Sequence, residues 1–173
     1  PRFLPPDADR RLTEALEAGG IAYGLKGRDQ ASVLRSVVDE LRLPAEVDRD
    51  FLYQVLLARE SLGSTGIGNG IAIPHVRNPV VLHVENPTVT LCFLEEAIDF
   101  QALDGKPVSI LFTLICPSVP AHLHLLSRLG FVLRNEELKA ALAARAPSQE
   151  LMAILAKAEA ALPRAQDQSG PRT

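Results

Sequence analysis

The chain has 173 residues, a formal net charge of −3 at pH 7 and a charged fraction of 23%, values that suit one globular domain with a full core. The slightly acidic balance excludes nucleic acid as an expected partner of this chain. The apolar run over 108–115 is too short to cross a bilayer as a helix, so no membrane insertion is expected. Cys92 and Cys116 lie in apolar runs, which predicts buried free thiols in a cytoplasmic protein, with a structural disulfide as the alternative.

Composition divides the chain into three parts. Residues 1–8 are rich in proline and predict an irregular segment, interpreted as the remnant of a linker. Because the chain begins at Pro1 without an initiator methionine, a further module before Pro1 is kept as an alternative. Residues 9–162 form the predicted domain, and the polar residues 163–173 predict a disordered tail.

The first elements are short and amphipathic. A helix is predicted from about Leu12 to the helix-ending pair Gly19–Gly20, and 21–25 predicts a short strand or an extended link. Asp29 is a typical N-cap for a second helix that ends before Pro44. The apolar residues of this second helix share one face: Leu34, Val37, Val38 and Leu41.

A third helix is predicted from about Asp48. Leu52, Val55 and Leu56 form its buried stripe. The next position on that stripe is Arg59, so we expect its guanidinium to point inward, toward whatever the following loop builds.

The second half predicts a sheet with helices packed on it. Residues 88–95 predict a strand, a turn follows at 103–106, and the more apolar residues 107–116 predict a central strand that is covered on both sides. Three helices complete the predicted domain, over 119–133, 135–145 and 148–161, the last two capped by Asn135 and Ser148.

The segment GIGNGIAIPHVRNP over 66–79 holds the first functional signal. Glycines at 66, 68 and 70 allow backbone N–H groups to turn toward one spot, as in loops that bind anions. No Gly-Lys-Ser/Thr follows, so the loop is not a P-loop. A mobile turn without function is the alternative interpretation of the same glycines.

His75 stands directly after Pro74 in this segment. The proline ring fixes its own φ angle and favours extended backbone before it, so His75 is expected to leave a stiff backbone. Such a side chain suits chemistry that depends on orientation. The alternative is a half-buried histidine whose ring is satisfied by a backbone carbonyl.

The helix over 119–133 carries two more histidines. His122 is expected at the N-terminal end of the buried stripe, where the helix dipole is positive. His124 lies about 200° around the helix from His122, so it is expected to face away. The rings of His122 and His124 therefore cannot ligate one metal ion. The remaining histidine, His83, is interpreted as an ordinary residue beside a turn.

Together these features are a cation at Arg59, hydroxyls at Ser64 and Thr65, a glycine loop and the rigid His75. They contain no metal-ligand motif and no serine nucleophile motif. They indicate a histidine that attacks or carries a phosphoryl group, with Arg59 and backbone N–H groups offsetting the charge of its oxygens. A metal-dependent hydrolase that uses His75 and His122 is an alternative, although no carboxylate completes its ligands.

Three segments resemble one known family. RESLGSTGIGNGIAIPH over 59–75 is similar to the phosphorylation-site segment of the EIIA domain of the bacterial phosphotransferase system, fructose/mannitol type, which includes nitrogen-regulatory proteins. AIDFQALDGKPVSILFTLICP over 97–117 and HLHLLSRL over 122–129 resemble two further stretches. The resemblance covers about 10–160. Val76 and Arg77 depart from the residues that many members carry after the histidine.

The resemblance implies a three-layer α/β/α sandwich with a mixed central sheet flanked by helices. It implies that His75 takes a phosphoryl group from an HPr-type phosphocarrier protein, on the ring nitrogen far from the backbone, and needs no cofactor. His122 corresponds to the second active-site histidine and Arg59 to the site arginine. The implied phosphate-binding positions are Ser64, Thr65 and Gly66.

Two functions follow from this resemblance. The chain is a phosphocarrier that passes the group to the cysteine of an EIIB protein, or a regulatory module whose phosphorylation changes which target protein it binds. The chain contains no EIIB segment and no membrane EIIC segment, which favours the regulatory function.

Overall fold

The computed structural model describes residues 11–76 and 84–162. The predicted linker remnant over 1–8 and the predicted tail over 163–173 lie outside the described residues, as do Arg77 and His83. Within the described ranges, no helix is long and apolar enough to span a membrane.

A mixed five-stranded sheet forms the centre of the described residues. Its strands are β1 (Ile21–Leu25), β2 (Gly66–Gly68), β3 (Ile71–Ala72), β4 (Thr88–Ile98) and β5 (Val108–Ile115). They lie in the order β1-β4-β5-β3-β2. Strand β5 is antiparallel to β4 and parallel to β3, which makes it the central strand that its apolar sequence predicts.

Helices cover both faces of this sheet. They are α1 (Leu12–Gly19), α2 (Gln30–Glu40), α3 (Arg49–Ser61), α4 (Val119–Val132), α5 (Glu136–Ala143) and α6 (Ser148–Ala160). One core, containing Leu16 and Leu129, packs α1, α4, α5 and α6 against one face. A second core, containing Leu34 and Leu56, packs α2 and α3 against the other. The three-layer α/β/α sandwich with a mixed central sheet is confirmed.

Most of the predicted helix starts agree with the structure. The Asp29 carboxylate accepts a hydrogen bond from the N–H of Ser32 at 2.8 Å, so it caps α2 as predicted. The prediction that Ser148 caps the last helix is wrong, because Pro147 occupies the N-cap position and no side chain caps this end. The extended backbone of Pro147 leads directly into the helix, and its carbonyl oxygen accepts the first helical hydrogen bond, from Leu151.

Both cysteines are buried and neither forms a disulfide bond, as predicted. Burial raises the pKa of the Cys92 thiol to about 12. A thiol with such a pKa stays protonated at neutral pH and is a poor nucleophile. Cys92 therefore belongs to the core rather than to a reactive site.

Candidate functional site

His75 lies just beyond the carboxyl end of β3 and is held by backbone hydrogen bonds on both sides. The N–H of Ile73 donates to the carbonyl oxygen of Thr65 at 3.0 Å, and the N–H of Leu114 donates to that of Pro74 at 3.1 Å. His75 itself forms a parallel β-bridge with Leu114. The stiff backbone expected at Pro74 is thus a short extension of the sheet.

One ring nitrogen of His75 is already engaged by the chain. Its Nδ1 lies 2.6 Å from the carbonyl oxygen of Ile73. Because a carbonyl oxygen only accepts, this hydrogen bond requires a proton on Nδ1. In the neutral ring, Nε2 then carries the lone pair that can attack an electrophile.

A second imidazole lies beside the first. The ring centroids of His75 and His122 are 4.9 Å apart, and their planes are inclined by 39°. Burial, together with the nearby charge of His75, holds the pKa of His122 below its ordinary value. Burial also lowers the pKa of His75. The hydrogen bond to Ile73 opposes this shift, and the positive charge of Arg59 adds to it. Both rings therefore favour the neutral form at neutral pH.

The two rings open onto a cavity of about 500 Å³. Its lining residues are Arg59, Leu62, Gly63, Ser64, His75, Val119, His122, Leu123 and Leu126. The predicted Arg59 and Ser64 therefore meet both histidines at one place. Leu62, Val119 and Leu123 on the rim are exposed large apolar side chains.

Arg59 brings a positive charge to this cavity from the last turn of α3. Its Nη1 donates a hydrogen bond to the carbonyl oxygen of Gly63 at 2.7 Å. A guanidinium carries five N–H donors, so this bond leaves others that an anion in the cavity can use. Arg59 is half-buried, whereas Glu60 is the residue that continues the buried stripe of α3, and Arg59 lines the same cavity as His75.

The three predicted phosphate-binding residues have different surroundings. The Ser64 hydroxyl lies at the cavity, donates to the carbonyl oxygen of Phe100 and accepts from the N–H of Gly66 at 3.0 Å. Thr65 is buried, and its hydroxyl donates to the carboxylate of Glu60. Among the described residues that line the cavity, neither Thr65 nor Gly66 occurs.

Glu60 is a buried carboxylate that sequence reasoning missed. It is 7% exposed and accepts hydrogen bonds from both the N–H and the hydroxyl of Thr65. Burial raises the pKa of Glu60, and these two bonds oppose the shift. The available signal was spacing, since Glu60 follows Leu56 by four positions and Arg59 follows it by three. Both spacings place a residue on the helical stripe.

The glycine loop folds as a hairpin turn, and its three glycines are not among the described residues that line the cavity. Gly68, Asn69 and Gly70 have positive φ angles and form the turn of a hairpin between β2 and β3. The N–H of Asn69 donates to the carboxylate of Asp104 at 3.0 Å. The Asn-Gly pair favours such a tight hairpin turn, and the N–H of Asn69 in it binds a carboxylate of the chain itself.

The remaining candidates lie apart from this site. His124 is half-buried and does not appear among the described residues that line the cavity. In the part of the chain that the structure describes, no group of three or more His, Cys, Asp or Glu side chains could hold a metal ion. The arrangement that the cavity does offer is a neutral nucleophilic imidazole beside a guanidinium and a hydroxyl.

Comparison with known proteins adds an independent finding. The family model described as phosphoenolpyruvate-dependent sugar phosphotransferase system, EIIA 2, matches residues 14–158. A nitrogen regulatory protein of Pseudomonas aeruginosa is 34% identical over 149 residues, which cover 84% of this chain and 94% of that protein. The fructose-specific EIIABC component of Bacillus subtilis is 32% identical over 132 residues, which cover 75% of this chain and 20% of that protein.

The fold is also similar to a solved structure. The crystal structure of nitrogen regulatory protein IIA-Ntr from Neisseria meningitidis superposes with a TM-score of 0.68 at 29% identity. The match covers 84% of this chain and 94% of that one.

Proposed function

Since this chain belongs to the EIIA 2 family of the phosphoenolpyruvate-dependent sugar phosphotransferase system, we propose that His75 carries a phosphoryl group on Nε2. The observation that supports this most directly is the hydrogen bond between Nδ1 and the carbonyl oxygen of Ile73. That bond reserves the other ring nitrogen for bond formation. Family membership supports a phosphocarrier role, and the residue and the atom are our proposal.

In the proposed reaction, the Nε2 lone pair attacks the phosphorus of a phosphohistidine on an HPr-type phosphocarrier protein. A new N–P bond forms as the donor's N–P bond breaks, and the donor nitrogen keeps that electron pair. His75 keeps its Nδ1 proton, so its ring becomes cationic while the attached phosphoryl group stays anionic. The carbonyl oxygen of Ile73 stabilises this cationic ring through the same hydrogen bond.

Burial prepares His75 for this attack. Only the neutral imidazole is a nucleophile, and burial holds the pKa of His75 below its ordinary value. The neutral form therefore predominates at neutral pH. Arg59 contributes to the same shift before phosphorylation and attracts the phosphoryl oxygens afterwards.

The other cavity residues take the roles that their contacts support. We assign Arg59, Ser64 and His122 to the phosphoryl oxygens, because all three line the cavity beside His75. His122 stands in the first turn of α4, where the helix dipole also favours an anion. For Thr65 and Gly66, whose groups already bond within the loop, the role that we propose is to shape the loop that presents Ser64.

Exposed apolar side chains around the cavity suit a protein as phosphoryl donor and acceptor. Leu62 and Leu123 are 68% and 58% exposed, so a partner surface can bury them over the recessed imidazole. We propose a cytoplasmic chain in which an HPr-type protein donates. In a transfer chain, the acceptor is an EIIB protein. In the regulatory alternative, the phosphorylation state of His75 decides whether the chain binds a target protein. The likeness to nitrogen regulatory proteins favours regulation.

The test is phosphorylation by phosphoenolpyruvate with enzyme I and an HPr-type protein, read by intact mass. We expect one acid-labile phosphoryl adduct on the wild type and on His124→Ala, and none on His75→Ala. A folded wild type that acquires no adduct, or an adduct on His75→Ala, would overturn the proposal. Incubating the phosphorylated protein with an EIIB protein then separates the two functions, since only a transfer protein loses its adduct.

A further inference from the structure

A series of hydrogen bonds joins the end of α3 to His75 behind the cavity. The Glu60 carboxylate accepts from the N–H of Thr65 at 3.0 Å and from its hydroxyl. The carbonyl oxygen of Thr65 accepts from the N–H of Ile73 at 3.0 Å. The carbonyl oxygen of Ile73 accepts from Nδ1 of His75 at 2.6 Å. One buried carboxylate is thus connected to the ring nitrogen whose proton decides where His75 reacts.

A second branch connects the same carboxylate to the cavity wall. Nε2 of Gln30 donates to Oε2 of Glu60 at 3.4 Å and to the carbonyl oxygen of Phe100 at 3.1 Å. The Ser64 hydroxyl donates to that same carbonyl oxygen. Glu60 therefore lies between the first residue of α2 and the two loop residues that precede the hairpin.

A carboxylate is the group that this place requires. Both of its oxygens accept hydrogen bonds, and Thr65 and Gln30 present donors to them. An amide in its place would lack the negative charge. Its N–H₂ group would face either the N–H donors of Thr65 and Gln30 or the Thr65 hydroxyl, whose hydrogen bond would then have to reverse. Either arrangement weakens the hold on Thr65, because a charge-assisted hydrogen bond is lost or a buried donor is left without an acceptor.

From this network we propose that Glu60 is a positioning residue, which holds the orientation and the Nδ1–H tautomer of His75 through Thr65 and Ile73. Glu60 does not line the cavity, so it acts through the backbone rather than on the phosphoryl group. The effect of Glu60 on phosphorylation rests on the function proposed above. The effect of Glu60 on the His75 tautomer is independent of that function.

The chain offers a matched control for this proposal. Glu159 is 3% exposed and accepts from the N–H and the hydroxyl of Thr13, at 2.9 and 2.7 Å. It therefore repeats the contact between Glu60 and Thr65 at the N-terminus of α1, outside the cavity. Glu159→Gln and Thr13→Val disturb the same chemistry without touching the loop beside His75.

The experiment compares Glu60→Gln and Thr65→Val with these two controls. The tautomer is read from the imidazole ¹⁵N shifts of His75 in the unphosphorylated protein, and the phosphorylation rate is measured by intact mass. We expect both site variants to gain the Nε2–H tautomer. Their rates should fall, for Glu60→Gln on the order of tenfold to a hundredfold, as expected for a misplaced nucleophile. The controls should keep the wild-type tautomer and rate.

A wild-type tautomer in both site variants would overturn the proposal, whatever their stability. A changed tautomer with an unchanged rate would overturn its functional part. Should Glu60→Gln fail to fold, Thr65→Val decides alone, because it removes the hydroxyl bond by which Glu60 anchors Thr65 and leaves the Glu60 carboxylate in place. If the wild type is not phosphorylated, the proposed function fails, and the tautomer comparison still decides the role of Glu60.

Discussion

His75 and His122 lie with their ring centroids 4.9 Å apart, although they come from different halves of the chain. His75 follows the end of β3, and His122 stands in the first turn of the helix that follows β5. These two strands are parallel neighbours, so their carboxyl ends meet at one edge of the sheet. Sheet topology therefore brings the two imidazoles together.

The pKa of His122 should rise in His75→Ala. Burial and the charge of His75 both lower it, and the substitution opens the site to water while it removes the neighbouring ring. An NMR titration of the His122 ring in wild type and variant measures the change. An unchanged or lower pKa would show that the two rings do not influence each other.

The free energy of unfolding should fall as the pH drops below about 6.5, the ordinary pKa of histidine. Both His75 and His122 have lowered pKa values in the folded protein, so the unfolded chain binds protons first. Stability is lost progressively as the pH falls toward the lowered values. Urea unfolding at about pH 7 and about pH 5.5 measures the loss, and a double His→Ala variant should show less of it.

Arg59→Ala should slow phosphorylation of His75 on the order of a hundredfold, the usual effect of losing one group that stabilises developing charge. It should also raise the pKa of His75, because the guanidinium contributes to lowering it. Rapid-quench mass measurements and an NMR titration test the two effects. Arg59→Lys should keep most of the pKa effect, since it retains the charge. Wild-type kinetics in Arg59→Ala would contradict the role.

Glu159→Gln should lower the free energy of unfolding by about 1–3 kcal/mol, the usual effect of losing charge-assisted hydrogen bonds. Although burial works to raise it, bonds from Thr13, Arg128 and Leu12 hold the pKa of Glu159 below its ordinary value. Its stabilising contribution is therefore present above the unfolded pKa and lost as the pH falls through the folded one. Urea unfolding at neutral and acidic pH tests both statements.

Thr113→Val should leave stability unchanged or raise it by up to about 1 kcal/mol. The Thr113 hydroxyl is fully buried in β5 and has no hydrogen-bond partner among the described residues. Valine has nearly the same shape and removes the unsatisfied polar group. Thr90→Val is the contrasting variant, because the Thr90 hydroxyl donates to the carbonyl oxygen of Gly19 at 3.2 Å. Losing that hydrogen bond should lower the free energy of unfolding.

Local signals predicted most of the fold. Helix α2 shows why, since Asp29 caps it and the apolar residues after it recur at helical spacing. These signals depend only on neighbours in sequence. The start of α6 was harder, because Pro147 and Ser148 are both compatible with a helix N-terminus.

The sequence predicted which residues meet at the site. It predicted the individual contacts among them less well. Arg59, Ser64, His75 and His122 do line one cavity. The burial of Glu60 depends on how the loop folds back onto α3, which no local pattern encodes. The contact between the glycine loop and Asp104 was not predictable for a similar reason, because Asp104 lies in a distant turn of the chain.

The bridge between His75 and Leu114 has a consequence for misfolding. Side chains alternate along β3 and its extension, so Ile73 packs in one core and Val76 in the other. A slip of one residue against β5 would place Val76 at the cavity and drive the imidazole into the core formed with α2 and α3. Burying that polar ring without a partner costs free energy. A misregistered chain would thus be inactive and unstable at once, and apolar packing keeps the nucleophile on the correct side of the sheet.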